Sequence, residues 1–428
     1  GTGVGTMSVT GNVALGAGSL SLFEVASTGA DRLQVTGAVT IASGATLQLA
    51  PLGTIRPGTS YDLVVASGGI TGSYTTVVKP DSLFGFVVQR ADRIQLLGQF
   101  LGGAGFTPQV ARSIAYANTT LQAQPATSTL FAALPALLNA DGTSNARAFA
   151  QLTPEPYASA TQAGVDNALT LAGAARGPAF ATLREDPGLF TFGQGVGQWH
   201  TLGADQAEGT AKARTRGYGF LGGIGYGDTS FAFGAETKSD GFVAGVHARY
   251  AANGVGLTAS VLYDGGEART TRALPGTARA IGSYDLHSWI ADLSVSYALD
   301  MGAEWSLRPR AGVTYLRTTR DGVTETGGAF ALNVARDRHV AGFVDGGVML
   351  ARSDASSAPL RPFVALGARY QIEGRRTDAL ASYAGGPLGL EAIGAARARL
   401  VGTASAGISY RLTGGLDLFS TASAQTGR

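Results

Sequence analysis

Beyond about residue 190, apolar and polar positions alternate in segments of about ten residues, separated by glycine-rich or polar connections. Val255, Leu257, Ala259, Val261 and Tyr263 fall on one face of such a segment, with Gly256, Thr258, Ser260 and Asp264 on the other. Trp289, Ala291, Leu293, Val295 and Tyr297 oppose Ser288, Asp292, Ser294 and Ser296 in the same way. Trp305, Leu307, Ala311, Val313 and Tyr315 oppose Ser306, Arg308, Arg310 and Thr314, and Val364, Leu366, Ala368 and Tyr370 oppose Arg361, Gly367 and Arg369. A period of two is that of a β-strand, whose successive side chains point to opposite faces. Eleven strands are predicted, near 191–202, 214–225, 228–238, 241–251, 254–265, 284–299, 303–317, 339–351, 359–371, 398–412 and 415–425.

A soluble sandwich also alternates, but its apolar faces point into a shared core. Two regularities favour a membrane barrel. The connections alternate in length: Tyr226-Gly227-Asp228, Ala251-Ala252-Asn253-Gly254, Asp300-Met301-Gly302-Ala303 and Thr413-Gly414-Gly415 are brief, whereas 203–213, 265–283, 318–338 and 372–397 are mostly long, polar and glycine-rich. Short periplasmic turns and long external loops have that contrast. Aromatic residues also gather at the short turns: Tyr226, Tyr250, Tyr297 and Tyr410 close descending strands and Trp305 opens an ascending one, forming a candidate girdle at the membrane interface. The polar faces then line a lumen holding His247, Arg249, Arg308, Arg310, Arg361 and Arg369.

The first hundred residues read differently. Short Val/Thr/Leu/Ile segments such as Val13-Ala14-Leu15, Leu33-Gln34-Val35 and Thr46-Leu47-Gln48-Leu49 lie between glycine turns, recurring at roughly 10–20 residues without a fixed repeat. They suit the irregular coils of a parallel β-solenoid, with a soluble sandwich as the rival. From about 107 the period becomes helical: Val110, Ile114 and Ala115, then Leu130, Leu134, Leu137 and Leu138, then Asn145 to Leu152. A last helix is expected at about 156–177, starting near Pro156 and stopping at Gly177-Pro178. Ala158, Ala163, Gly164 and Ala172, around Asp166 and Asn167, leave it thin almost all round. A thin helix fits the bore of a mid-sized barrel, although a small-residue face packed on another helix would read the same way.

Composition narrows the function. The chain has 63 glycines, 14% charged residues, no cysteine and a net charge of +2. No thiolate chemistry or disulfide framework is available, and the charge gives no reason to expect nucleic acid. No apolar run is long enough for a transmembrane helix, so any membrane crossing is by strands. Gly217-Tyr218-Gly219-Phe220-Leu221-Gly222 fits G-x-G-x-x-G but lies inside a strand pattern with no helix after it, which argues against a nucleotide site. His200, His247, His287 and His339 are far apart without metal spacing, and no G-x-S-x-G elbow occurs, so neither a metal nor a catalytic set is nominated and no cofactor is expected. The lumen arginines, Arg411 included, have two open readings: solvated residues of a wet pore, or partners of Glu155 and Asp166 on the bore helix.

The order of β stalk, alanine-rich helix and barrel resembles the type Va autotransporters. Ala26-Ser27-Thr28-Gly29-Ala30-Asp31-Arg32-Leu33-Gln34-Val35-Thr36-Gly37 is similar to their passenger-end D-x-L-x-V-x-G pattern, and Tyr61 to Tyr74 resembles the strand and glycine turn that follow it. Gln151-Leu152-Thr153-Pro154-Glu155-Pro156-Tyr157-Ala158 resembles the motif before the barrel helix. The resemblance implies a mainly β chain: a passenger-end solenoid at 1–104, a helical linker at 105–189 and an outer-membrane barrel at 190–428, twelve-stranded with a helix in its bore. It also implies a non-enzymatic translocator that exports or displays a passenger at the cell surface, a lipid-embedded monomeric barrel, and assembly by the barrel-assembly machinery with periplasmic chaperones. An adhesive stalk and a porin-like channel are the alternatives. Eleven strands against twelve predicts one more strand past Arg428, since bacterial single-chain barrels have even strand numbers. Asp166-Asn167 lacks the Asn-Asn pair at which some relatives cleave, which predicts an attached passenger.

Overall fold

The structure, a computed structural model, describes residues 3–26, 28–52, 60–80, 83, 85–123, 130, 133–139, 143–176, 187–210, 213–227, 231–238, 242–276, 278–352, 358–412 and 416–427. Parts of the expected helix at Thr127–Leu138, the Gly177-Pro178 stop, Asp228 and the Thr413-Gly414-Gly415 turn lie outside the described residues, as do the side chains of His200 and Arg411.

The stalk is a three-faced parallel solenoid. Thr6–Val9 pairs with Arg32–Val35, Val13–Leu15 with Val39–Ile41, and Leu20–Ala26 with Thr46–Pro51. In each pairing the partner is 26 residues on: Thr6 faces Arg32, Val13 faces Val39 and Leu20 faces Thr46. The next coil adds Ser60–Ala66, Ile70–Gly72 and Thr76–Val78 to the same three faces. The coils are not of one length, since Val39 faces Ile70 and Thr46 faces Thr76, so the strands recur without a fixed repeat as the sequence suggested. Inward residues such as Phe23, Val25, Val35, Leu47, Leu49 and Leu63 are buried in one core. The antiparallel hairpin Phe86–Gln89 and Arg93–Leu97 covers the last coil's edge at Ser60–Ala66, giving those backbone groups partners.

Among the described residues the linker carries α1 (Pro108–Ala123), α2 (Ala146–Gln151) and α3 (Glu155–Ala175), with a 3₁₀ turn at Leu134–Leu137. Asn145 caps α2, accepting from the Ala148 N–H at 3.1 Å.

Among the described residues, eleven long strands form the barrel. They are β1 (Gly188–Leu202), β2 (Ala213–Gly227), β3 (Phe231–Lys238), β4 (Phe242–Ala252), β5 (Val255–Ala273) and β6 (Arg279–Tyr297). The others are β7 (Trp305–Arg320), β8 (Asp337–Arg352), β9 (Leu360–Glu373), β10 (Leu400–Arg411) and β11 (Leu416–Gly427). A two-residue segment, Leu299–Asp300, joins the sheet beside β7. Each long strand pairs antiparallel with its neighbour. Where an open edge was expected, β1 and β11 instead pair in parallel, Thr191–Gly195 against Leu416–Ser420, and complete the ring. With eleven long strands the first and last run in the same direction, so this seam can only be parallel.

Three expected loops carry more structure than the sequence suggested. The 265–283 connection is an extension of β5 and β6, which stay paired from Val255/Tyr297 to Ala273/Arg279. Nineteen residues in each far exceed the roughly 9–11 a tilted strand needs to cross a bilayer. The 318–338 and 372–397 stretches together build a small antiparallel sheet of Val323–Thr324, Leu332–Val334, Asp378–Tyr383 and Leu390–Ile393. This sheet, the β5–β6 extension and the linker helices share one core containing Ile114, Tyr116, Leu137, Phe149, Tyr157, Tyr284, Leu332 and Tyr383. At the opposite end β4 and β5 are joined by a tight turn, Asn253 and Gly254 both at positive φ (52° and 78°), as a two-residue hairpin requires.

Candidate functional site

The wall of the barrel divides its residues as the period of two dictates. Val246, Leu257, Val261, Trp289, Leu293, Val313, Tyr315, Val364 and Leu366 are exposed on the outside, while Ser260, Ser288, Asp292, Arg308 and Thr314 are buried inside. A continuous outer belt of this kind has no place in water and marks a lipid contact. Of the expected girdle, Tyr226, Tyr250, Tyr297 and Tyr410 are exposed at the short-turn end, and Trp305 is half-buried with the Arg352 guanidinium 5.8 Å above its ring.

α3 runs down the interior. Glu155 at its start sits near the outer sheet, where Thr377 Oγ1 donates to the Ala158 carbonyl at 2.8 Å, and Arg176 caps its far end beside strands β6–β8. The thin composition is used against β6 and β7: a Cβ placed on Gly164 would lie 2.9 Å from Thr318 Cγ2 and 3.2 Å from Leu286 Cδ2. Lower down, Val165, Leu169 and Ala172 pack with Leu262, Ile290, Leu316 and Phe343 of the wall. Ala158 and Ala172 are buried and Ala163 is half-buried. Asn167 donates its amide N–H to the Asp264 carboxylate.

Three polar knots fix the helix. At the top, Tyr157 Oη donates to Glu325 Oε1 at 2.9 Å, the Leu332 N–H donates to Glu325 Oε2 at 2.8 Å, and Arg272 pairs with the same carboxylate at 2.6 Å. Arg272 also donates to the carbonyls of Gln151 and Phe330, so one buried carboxylate ties helix, linker, extended hairpin and outer sheet together. Beside it Arg320, fully buried, stacks over the rings of Tyr157 and Tyr284 at 5.5 and 5.9 Å and donates to Ala335 O at 2.8 Å. In the middle, Asp166 pairs with Arg397, which returns from the outer sheet toward β10. At the bottom, Arg176 grips Asp292 with Nε at 2.8 Å and Nη2 at 2.5 Å, reaches Asp345 with Nη1 at 2.5 Å, and donates to Thr314 Oγ1 at 2.8 Å. A planar guanidinium matched to two carboxylates in a buried site is geometrically demanding and correspondingly hard to break.

These partners differ from those the sequence suggested. Glu155 accepts from Ser159 Oγ at 2.6 Å, and Asp166 takes Arg397, which was not among the expected lumen cations. The dominant latch has the opposite polarity, with the cation on the helix and the carboxylates on the strands. Arg308 is buried and donates to Ser306 Oγ at 3.0 Å; Arg249, Arg310, Arg361 and Arg369 are half-buried, and His247 is buried on β4. The missed residues are Arg176, Asp345, Arg272, Glu325 and Tyr157. The one available signal was Arg176, the only cation closing an otherwise uncharged alanine-rich helix end. Among the described residues no group of three or more His, Asp or Glu is placed to hold a metal ion.

Outside the phenols of the wall, burial pushes Tyr116 and Tyr383 above the usual tyrosine range; Tyr383 N–H donates to Tyr116 Oη at 3.2 Å, and Tyr116 donates to Pro387 O at 2.5 Å. Both lie in the core at the outer mouth.

A family model, the autotransporter β-domain, matches residues 201–423. Solved structures similar to the chain include the translocator domain of autotransporter NalP from Neisseria meningitidis, at 14% identity and a TM-score of 0.43, covering 64% of this chain and 93% of that one. Another is the β domain of the Bordetella autotransporter BrkA, at 16% identity and a TM-score of 0.27, covering 58% and 89%. No curated protein matches the chain.

Proposed function

We propose, from the premise that this chain belongs to the autotransporter β-domain family, that it holds its own stalk at the cell surface through a retained bore helix. The chain is a type V secretion translocator unit of the outer membrane. What supports display is the direction of α3: its N-terminus meets the outer sheet and its C-terminus points down the bore, so everything preceding Glu155 belongs to the outer side. Phe100, at the end of the stalk, packs on Phe149 of α2 with ring centroids 5.0 Å apart, and its N–H donates to Asn118 of α1 at 2.8 Å. The linker helices are in turn buried against the outer sheet, giving the stalk a fixed footing.

Retention follows from the knots on α3 and from a ring closed within one chain, which also favours a monomeric barrel. Asp166-Asn167 offers no asparagine pair, and Asp166 is engaged with Arg397, so the passenger is expected to stay attached. Assembly by the barrel-assembly machinery and periplasmic chaperones follows from family membership.

The test is protease digestion of intact cells. Loss of the 1–104 segment with the barrel protected is the expected result; cleavage of that segment only after the outer membrane is permeabilised would overturn display. A separate passenger band on a denaturing gel of untreated cells would overturn retention.

A further inference from the structure

α3 does not fill the bore evenly. It packs on β5, β6 and β7, and on the other side a cavity of about 110 Å³ separates Leu169, Thr170, Gly173 and Ala174 from β8–β11. Gly173 faces this gap, and a Cβ placed there would meet nothing within 4 Å. Arg310 and Arg369 border the cavity, with hydroxyls of Thr403, Ser405, Thr421 and Ser423 on the facing strands.

The charges in this space do not cancel. Asp345 also lines the cavity, but its Oδ1 is taken by Arg176, whose other carboxylate partner is Asp292. Arg310 and Arg369 each lie within electrostatic reach of Arg176 and of both carboxylates. Among the described residues, no hydrogen bond or ion pair engages either the Arg310 or the Arg369 guanidinium. Three guanidiniums therefore face two carboxylates, and a single negative charge is missing. An anion entering between these two half-buried guanidiniums restores charge balance and gives them charge-assisted hydrogen bonds.

We infer that this cavity is a binding site for a small inorganic anion of halide size, and that it gives whatever current passes the plugged barrel a preference for anions. The hydroxyls supply neutral donors without adding charge, and a ring of arginines is the usual source of anion preference in a pore. The inference does not depend on where the stalk is displayed.

Two measurements test it on the whole chain. Crystals of the unaltered protein soaked in bromide should show an anomalous peak bordered by Arg310 and Arg369; an empty site at high bromide would overturn the assignment. In planar bilayers under a potassium chloride gradient, the reversal potential should indicate chloride over potassium, and the R310Q/R369Q variant should lose that preference. A cation-preferring or non-conducting wild type, or a preference unchanged in the variant, would overturn the selectivity. Heat-modifiable migration on a gel verifies that the variant is folded, and the bromide experiment stands without it.

Discussion

The two sides of the bore helix present opposite solutions to filling a barrel. Toward β5–β7 the contact is close and dry: Gly164 lies against Thr318 and Leu286, and Leu169 and Ala172 pack against Leu262, Ile290 and Leu316. Toward β8–β11 there is a cavity edged by guanidiniums and hydroxyls. The difference shows that the plug is held by close packing on one wall and by its three polar knots, not by uniform packing.

The most severe break of this asymmetry is at the lower latch. Arg176→Ala strands Asp292 and Asp345 without their cation, and removing one partner of a buried ion pair costs about 3–5 kcal/mol. Thermal unfolding in detergent should reveal a loss of that order, and bilayer current should rise as the helix end loosens. A current unchanged from wild type would mean that the latch does not hold the plug.

Gly164→Leu attacks the close wall directly. Even a Cβ would come within 2.9 Å of Thr318, and overpacking of this kind costs about 1–3 kcal/mol. Denaturant titration should report it, whereas Gly173→Leu on the cavity side should be tolerated better; equal losses at the two glycines would erase the asymmetry.

At the top, Tyr157→Phe removes the hydroxyl that donates to Glu325 and leaves the ring in place. Arg272 and the Leu332 N–H still satisfy the carboxylate, so the loss should be about 1 kcal/mol, read by the same titration. The smallest effect belongs to the open wall. Arg369→Gln breaks no hydrogen bond or ion pair among the described residues and should stay within about 0.5 kcal/mol of wild type, measured by the same unfolding curve. A loss as large as that of Arg176→Ala would place Arg369 in the latch.

The barrel was readable because lipid enforces the period of two at every strand. Val313 and Tyr315 must face hydrocarbon while Thr314 faces the lumen, and no compensating contact elsewhere can relax that rule. The composition of the bore helix was readable for a related reason: only small residues at positions such as Gly164 allow a helix to approach the wall this closely. The outer sheet was not readable, since Val323–Thr324 and Leu332–Val334 are too short to display a period and Leu332–Val334 takes its second partner from a segment some fifty residues away. The stalk was readable as solenoid strands between glycine turns, but the pairing of Thr6 with Arg32 and Val13 with Val39 was not, because it joins strands a whole coil apart.

The sequence by itself therefore determined the strands, their inward and outward faces, the order of stalk, helix and barrel, and the kinship with autotransporters. Each of these is a local or periodic property that the surrounding solvent, water or lipid, imposes residue by residue. Only the tertiary structure decided which charges meet. Arg176 with Asp292 and Asp345, Arg272 with Glu325, and Arg397 with Asp166 join residues between 53 and 231 positions apart. A charged side chain carries no mark of its partner in its own neighbourhood. The pairing is fixed by the register of the ring and by how far the helix descends into it.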